Sequence, residues 1–270
     1  MKKILILIMF LFPVFMTTCD LLETIEEEGL TTEEVIEGLK TALIVGTDSS
    51  VSITSALNGY YGDEAIKILL PEEANVILDN LDNELLQTLG VKSIIENSID
   101  DVVLSINRAA ETAASDAGPI FKDAITSLSI SDAWEILNGT NPAAKKKSDE
   151  FDSTAATAYL HSTTYDALVT AFSPYINSAL DNDLGLGFST NDAWNTLTST
   201  YNTAANSPLD FFDNLKPVET TDLGPYAVGK GLDGLFLKVG EEEKKIRANP
   251  WAWAGELVGD ILTKVFGGNK

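Results

Sequence analysis

Apolar side chains recur every three or four residues through each long segment of this chain, and no segment sustains apolar-polar alternation. A 3.6-residue period is one face of an α-helix and a period of two is a half-buried strand, so this pattern supplies helices and leaves a sheet without material. The clearest instance lies near the C-terminus. Val228, Leu232, Leu235, Val239 and Ile246 form one stripe, Asn249-Pro250 interrupts it, and Trp251, Ala254, Val258, Ile261 and Val265 form another. Proline drives the residue before it out of the helical region yet suits the first turn of a new helix. Gly267, just past Lys264, supplies a C-terminal stop. The expectation is an all-α, single-domain multi-helix bundle of roughly eight to ten helices, ended by a helix-Pro-helix hairpin. With 270 residues and 44% hydrophobic content, the chain can fill one sizeable core.

The remaining segments fit that reading. Thr31 and Glu34 form a capping-box pattern that opens a first helix carrying Val35, Leu39 and Ala42. Residues 46–61, rich in Gly, Ser and Thr, predict a broken helix and a turn, and Ile66 to Leu70 predict extended chain ended by Pro71. A helix is predicted over 72–89 with Ala74, Ile77, Leu81 and Leu85 on one face. A long core helix runs from Val91 to Ala117, broken at Gly118-Pro119 and followed by a shorter helix. Residues 151–180 predict a helix kinked at Pro174, and Trp194, Leu197, Tyr201 and Ala204 mark one more. The stretch Ser129 to Leu137 recurs as Ser189 to Leu197. Each copy reads as a capped helix start with its Trp (134, 194) and Leu facing inward, and convergent capping explains the likeness better than duplication.

Two features of the penultimate helix go beyond packing. Ala227, Gly231 and Gly234 line one face, and each helical glycine costs roughly 0.5–1 kcal/mol relative to alanine. Close approach of another backbone would offset that, and the alanine-rich half of the long helix, around Ala109 and Ala113, is its natural neighbour. The second feature is charge. The chain has two arginines, Arg108 and Arg247, lying near Glu111 and near Glu241, Glu242 and Glu243 respectively. One reading is a structural salt bridge joining the long helix to the C-terminal region. The other is a polar site in the bundle, with Glu243 as base and Arg108 as anion clamp.

Other chemistry finds little support. His161 is the sole histidine and sits one turn from Tyr165, which it is expected to pack against. Asp181-Asn-Asp183-Leu-Gly185 resembles a calcium loop, but its glycine comes one place early and position five lacks a ligand. No metal and no cofactor is expected, and no phosphate-binding glycine loop is present. A formal charge of -23 excludes an unaided nucleic-acid binder, since such affinity comes from basic residues neutralising phosphates.

Lys2-Lys3 followed by the apolar run Ile4 to Met16 has the form of a secretory signal, too short to span a bilayer. No alanine precedes Ala42, so no A-x-A cleavage site exists there. The chain offers instead Met16-Thr17-Thr18-Cys19, with its single cysteine where bacterial lipoproteins carry the acylated residue. The expected organisation is a signal peptide over 1–18 with Cys19 acylated, an acidic tether over 19–29 and a helical domain over 30–268. An uncleaved anchor and ordinary secretion are the alternatives. Loss of Lys2 and Lys3 with the signal takes the charge to -25, which repels anionic head groups. Membrane attachment therefore has to be covalent or apolar.

Residues 222–267, with GLDGLF, EEEKKIRANP and a closing KVFG, resemble the C-terminal signature of a bacterial envelope family known only as a domain of unknown function, number four-one-nine-seven. Further resemblance lies in residues 30–43, in NRAAETAASDAGPIFKDAITSLSISDAWEILNG (107–139) and in 157–176. The resemblance implies an all-helical, exported, often lipid-anchored protein of unassigned activity. The expectation is thus a non-enzymatic binding or scaffold protein facing the periplasm, attached to a membrane by its lipid and engaging an envelope protein or an apolar ligand. The alternative is an enzyme with the Glu243/Arg108 site.

Overall fold

The computed structural model describes residues 30–131, 133–142, 150–208, 215–219, 222–253 and 259–267. The expected signal peptide, Cys19, the tether to Gly29 and the lysines at 145–147 lie outside them. Among the described residues there are nine α-helices and no strand: α1 (Thr32–Thr54), α2 (Asn75–Leu78), α3 (Glu84–Thr88), α4 (Lys92–Ser127), α5 (Ala133–Leu137), α6 (Ala155–Asp181), α7 (Thr190–Ala205), α8 (Leu223–Ala248) and α9 (Gly259–Phe266). Short 3-10 turns occupy Glu72–Ala74 and Pro250–Trp253.

Helices α1, α4, α6 and α8 form a closed ring, each packed on the next, with α7 laid on α4 and with α5 and α9 laid on α1. The stripes read from the sequence face the centre. Val102, Ile106, Ala109, Ala113 and Ala117 of α4 are buried, as are Val228, Leu232, Leu235 and Val239 of α8. Helix starts follow local chemistry. The Thr31 hydroxyl accepts the Glu34 N–H at 3.2 Å while the Glu34 carboxylate accepts the Thr31 N–H at 3.0 Å, and Ser189 and Asp192 repeat the device at α7. No helix among the described residues is long and apolar enough to cross a membrane.

The structure corrects several boundaries. α4 is one helix of 36 residues that runs through Pro119. An interior proline costs about 3 kcal/mol. Here the stripe Ala113, Ala117, Phe121, Ile125 stays fully buried across it, so tertiary packing outweighs the local penalty. α6 passes through the exposed Pro174 in the same way and begins at Ala155, not at Phe151, which is exposed. α1 persists to Thr54, and the irregular chain starts only after it. The single helix expected over 72–89 is three short pieces. Asp79, Asn80, Asp82 and Asn83 fall at the join, such side chains compete for backbone groups, and Asn83 caps α3 by accepting the Leu85 N–H.

After Pro250 the chain makes a 3-10 turn before α9. Trp251 is exposed, Val265 is buried, and Ala254 and Val258 lie outside the described residues. Trp194 is buried as expected, whereas Trp134 is exposed and its indole N–H donates to the Thr32 hydroxyl.

The glycines of α8 do not meet the alanines of α4, which lies diagonally across the ring. They receive Tyr60 from the irregular segment after α1. Its phenol donates to the Gly231 carbonyl at 2.6 Å, and a Cβ at Gly234 would lie 2.7 Å from the ring and 3.2 Å from Ile66. The close backbone approach of α8 is to α1, where a Cβ on Gly46 would stand 3.4 Å from the Val239 carbonyl oxygen. Gly234→Ala is therefore expected to destabilise by about 1–3 kcal/mol, since the pinned ring has to move. Gly229→Ala, whose added methyl would stand 3.7 Å from the Tyr165 hydroxyl, should be neutral or stabilising by up to roughly 1 kcal/mol. Urea denaturation of the two variants checks the contrast.

Candidate functional site

The six polar residues singled out in the sequence fall into separate groups. Glu243 and Arg247, one turn apart on α8, pair at 2.8 Å and are nearly inaccessible. Thr154 at the start of α6 caps no N–H with its side chain, leaving the first-turn donors open. Glu243 takes them from 87 residues away: one oxygen accepts the Ala156 N–H at 3.1 Å, the other the Thr157 N–H at 2.8 Å and hydroxyl at 2.7 Å. Arg247 meanwhile donates to the Leu137 and Ile136 carbonyls at the C-terminal end of α5. A carboxylate thus faces the positive end of one helix and a guanidinium the negative end of another, which is the favourable sign at both.

Arg108 belongs to a second group. It pairs with Glu111 on its own helix and donates to the Asn58 side chain at 2.8 Å. One oxygen of the buried Glu111 accepts the Tyr60 and Tyr61 N–H groups, at 3.1 and 3.0 Å. Asn107 adds a two-way bond, accepting the Ile68 N–H at 2.8 Å and donating to its carbonyl at 2.7 Å, as a neighbouring strand would. The motif NRAAE thus holds residues 58–68 against α4. Burial pushes the Tyr60 phenol well above its usual range, with Glu111 and Asp233 adding to the effect, so it stays neutral and donates to Gly231.

Glu241 and Glu242 serve ion pairs, with Lys238 at 3.0 Å and Lys245 at 2.6 Å. Lys238 also reaches Asp63 at 2.6 Å, tying the irregular segment to α8. That hydrogen bond holds the Asp63 carboxyl below its usual range, against a smaller opposing effect of burial. Burial pulls the Lys238 ammonium down, but its bonds to Asp63 and Glu241 outweigh this and leave it raised. His161 stacks on Tyr165, ring centres 4.5 Å apart, and meets Phe236 edge-on. Asp183 closes its own loop by accepting the Gly185, Leu186 and Gly187 N–H groups.

What these clamps leave open is a cleft of about 540 Å³ between residues 65–72 and the outer face of α8. Leu69 and Leu237 expose apolar surface into it, Lys67, Lys230, Asp233 and Glu72 line it, and the Tyr226 hydroxyl donates to the Leu69 carbonyl at 2.9 Å. The sequence reading missed this cleft, along with Tyr60, Asn107 and Thr157. The turn expected within residues 46–61 and the extended run from Ile66 to Leu70 marked the neighbourhood but not the cleft.

A family model described as Protein of unknown function (DUF4197) matches residues 29–267. No curated protein and no solved structure matches the chain significantly.

Removing one partner of a buried pair strands the other charge. Arg247→Ala and Glu243→Ala should each cost about 3–5 kcal/mol. The double variant should cost clearly less than the two together, by a coupling of about 0.5–3 kcal/mol. Denaturant melts of the four-protein cycle measure it. A depressed carboxyl contributes stability that is present above its unfolded-state pKa and lost as pH falls through the folded one. Asp63→Asn should therefore lower the melting temperature at neutral pH, by an amount equivalent to about 0.2–1 kcal/mol for a partly exposed pair. The gap should shrink once pH drops below about 3.9 and close below the depressed folded value, which a pH series of thermal melts reads directly.

Proposed function

This chain belongs to the family described as Protein of unknown function (DUF4197), and from that premise we propose that it is an exported, lipid-anchored helical protein of the cell envelope that binds rather than catalyses. The observation that carries this reading is the commitment of Glu243 and Arg108. The donors around the Glu243 carboxylate among the described residues belong to the α6 cap and to Arg247, and Arg108 sits in a different group with Glu111 and Asn58. A general base has to reach a substrate proton, and a clamp has to face the same substrate. These two residues do neither together, so the enzyme reading lacks a shared site. Among the open concavities, the cleft beside α8 combines an apolar wall with a few polar groups, which is the usual character of a ligand site.

The anchor rests on the basic-apolar leader and on Cys19, the only thiol. The family match begins at residue 29, where the acidic tether ends, which supports a leader separate from the domain. Acyl chains contribute about 0.8 kcal/mol per buried CH₂, so several of them hold a protein firmly whatever its charge. Wild type is expected to take up labelled fatty acid and to fractionate with membranes, and Cys19→Ser to do neither. Membrane retention of the variant, with no label on wild type, would sink the lipoprotein reading.

A further inference from the structure

The charges in the cleft do not satisfy one another. Lys230 and Asp233 stand three residues apart on α8, a spacing at which opposite charges ordinarily meet. Both are exposed, and neither they nor Glu72 on the facing wall make an ion pair among the described residues. Lys67 lies 3.7 Å from the exposed Glu64 and over the Tyr61 ring at 4.4 Å, a loose hold. Between these charges, Leu69 at 60% exposure and Leu237 at 43% offer aliphatic surface. The far wall is fixed in place by Asn107 on Ile68 and by Tyr226 on Leu69 and Leu70.

Each simple class of ligand conflicts with part of this lining. An anion meets Asp233 and Glu72, a cation meets the two lysines, and a wholly apolar molecule strips water from four charges without replacing it. A molecule with separated charges of both signs and an aliphatic body satisfies all of it. We propose that this cleft binds a small aliphatic zwitterion, a free amino acid or short peptide, with its carboxylate at Lys230 and Lys67, its ammonium at Asp233 and Glu72, and its side chain on Leu69 and Leu237. This deepens the binding reading and rests on it. Because the walls are held before the ligand arrives, little ordering is needed on association.

The test is isothermal titration of the full chain with leucine and leucyl-leucine, against N-acetyl-leucinamide, octanoate and isoamylamine, together with methyl resonances of Leu69 and Leu237. The two zwitterions should bind saturably, and whichever is tighter separates free amino acid from peptide. The capped, anionic and cationic probes should each bind at least about tenfold more weakly, as should leucine or leucyl-leucine to Lys230→Gln and Asp233→Asn, since one lost charge contact of ~1.4 kcal/mol is a factor of ten. Both substituted residues are exposed and make no ion pair among the described residues, so the variants should melt like wild type, which makes lost binding interpretable. Octanoate or the capped amide binding as tightly as the zwitterions would overturn this ligand class while leaving the cleft a binding site. Methyl resonances unmoved by every probe would overturn the cleft as a binding site as well.

Discussion

Glu243 and Arg247 satisfy the ends of two helices at once, and the assembly of the bundle around α8 depends on that pair. Taking a carboxylate and a guanidinium out of water costs several kcal/mol per ion, which their mutual attraction offsets only when further hydrogen bonds complete both groups. Here the completion comes from helix ends that lack partners within their own helices: the N–H groups of Ala156 and Thr157 and the carbonyls of Ile136 and Leu137. The pair fixes where α5 stops, where α6 starts and how both sit against α8. One carboxylate and one guanidinium on α8 thus hold the ends of two other helices.

The same logic operates at the irregular segment after α1. Backbone that leaves a helix inside a bundle loses its regular partners, and buried N–H and C=O groups have to be paired by something. Asn107 and Glu111 do this from α4, Tyr60 reaches the Gly231 carbonyl, and Lys238 holds Asp63. Gly234 then earns its place by leaving room for the Tyr60 ring. A non-helical wall stands against a helix at fixed distance, and the cleft is the space that remains.

Much of this fold was legible because helical periodicity reports burial directly. The stripes of α4 and α8, the capping boxes at Thr31 and Ser189, the stop at Asn249-Pro250 and the His161–Tyr165 stack all follow from spacing of four or less. Periodicity gives the face of a helix but not what lies opposite it. The glycines of α8 correctly signalled a close neighbour, yet that neighbour was Tyr60 and not Ala109 or Ala113. Arg108–Glu111 and Glu243–Arg247 are pairs at three and four residues, so their local halves were within reach of spacing. Their other halves, Asn58 and the end of α6, come from distant sequence and leave no periodic trace. Pro119 misled for the opposite reason, because a local rule yielded to burial of Phe121 and Ile125 beyond it.

The last helix lies on the first. Val265 of α9 sits where a Cβ on Gly38 of α1 would fall, within 2.5–2.8 Å of it, and Lys264 pairs with Glu34 across 230 residues. The ring itself closes between α8 and α1. For a helical protein this is an unusual order of events, since helical bundles commonly fold fast through contacts close in sequence. In this one, α4 and α5 reach α1 early, but the part of its surface that receives α8 and α9 stays uncovered until those two helices have been made. The surface around Gly38 and Gly46, on which Val265 and Val239 seat, therefore remains open while everything in between is synthesised, and the time for which it stays uncovered is set by the length of that intervening chain.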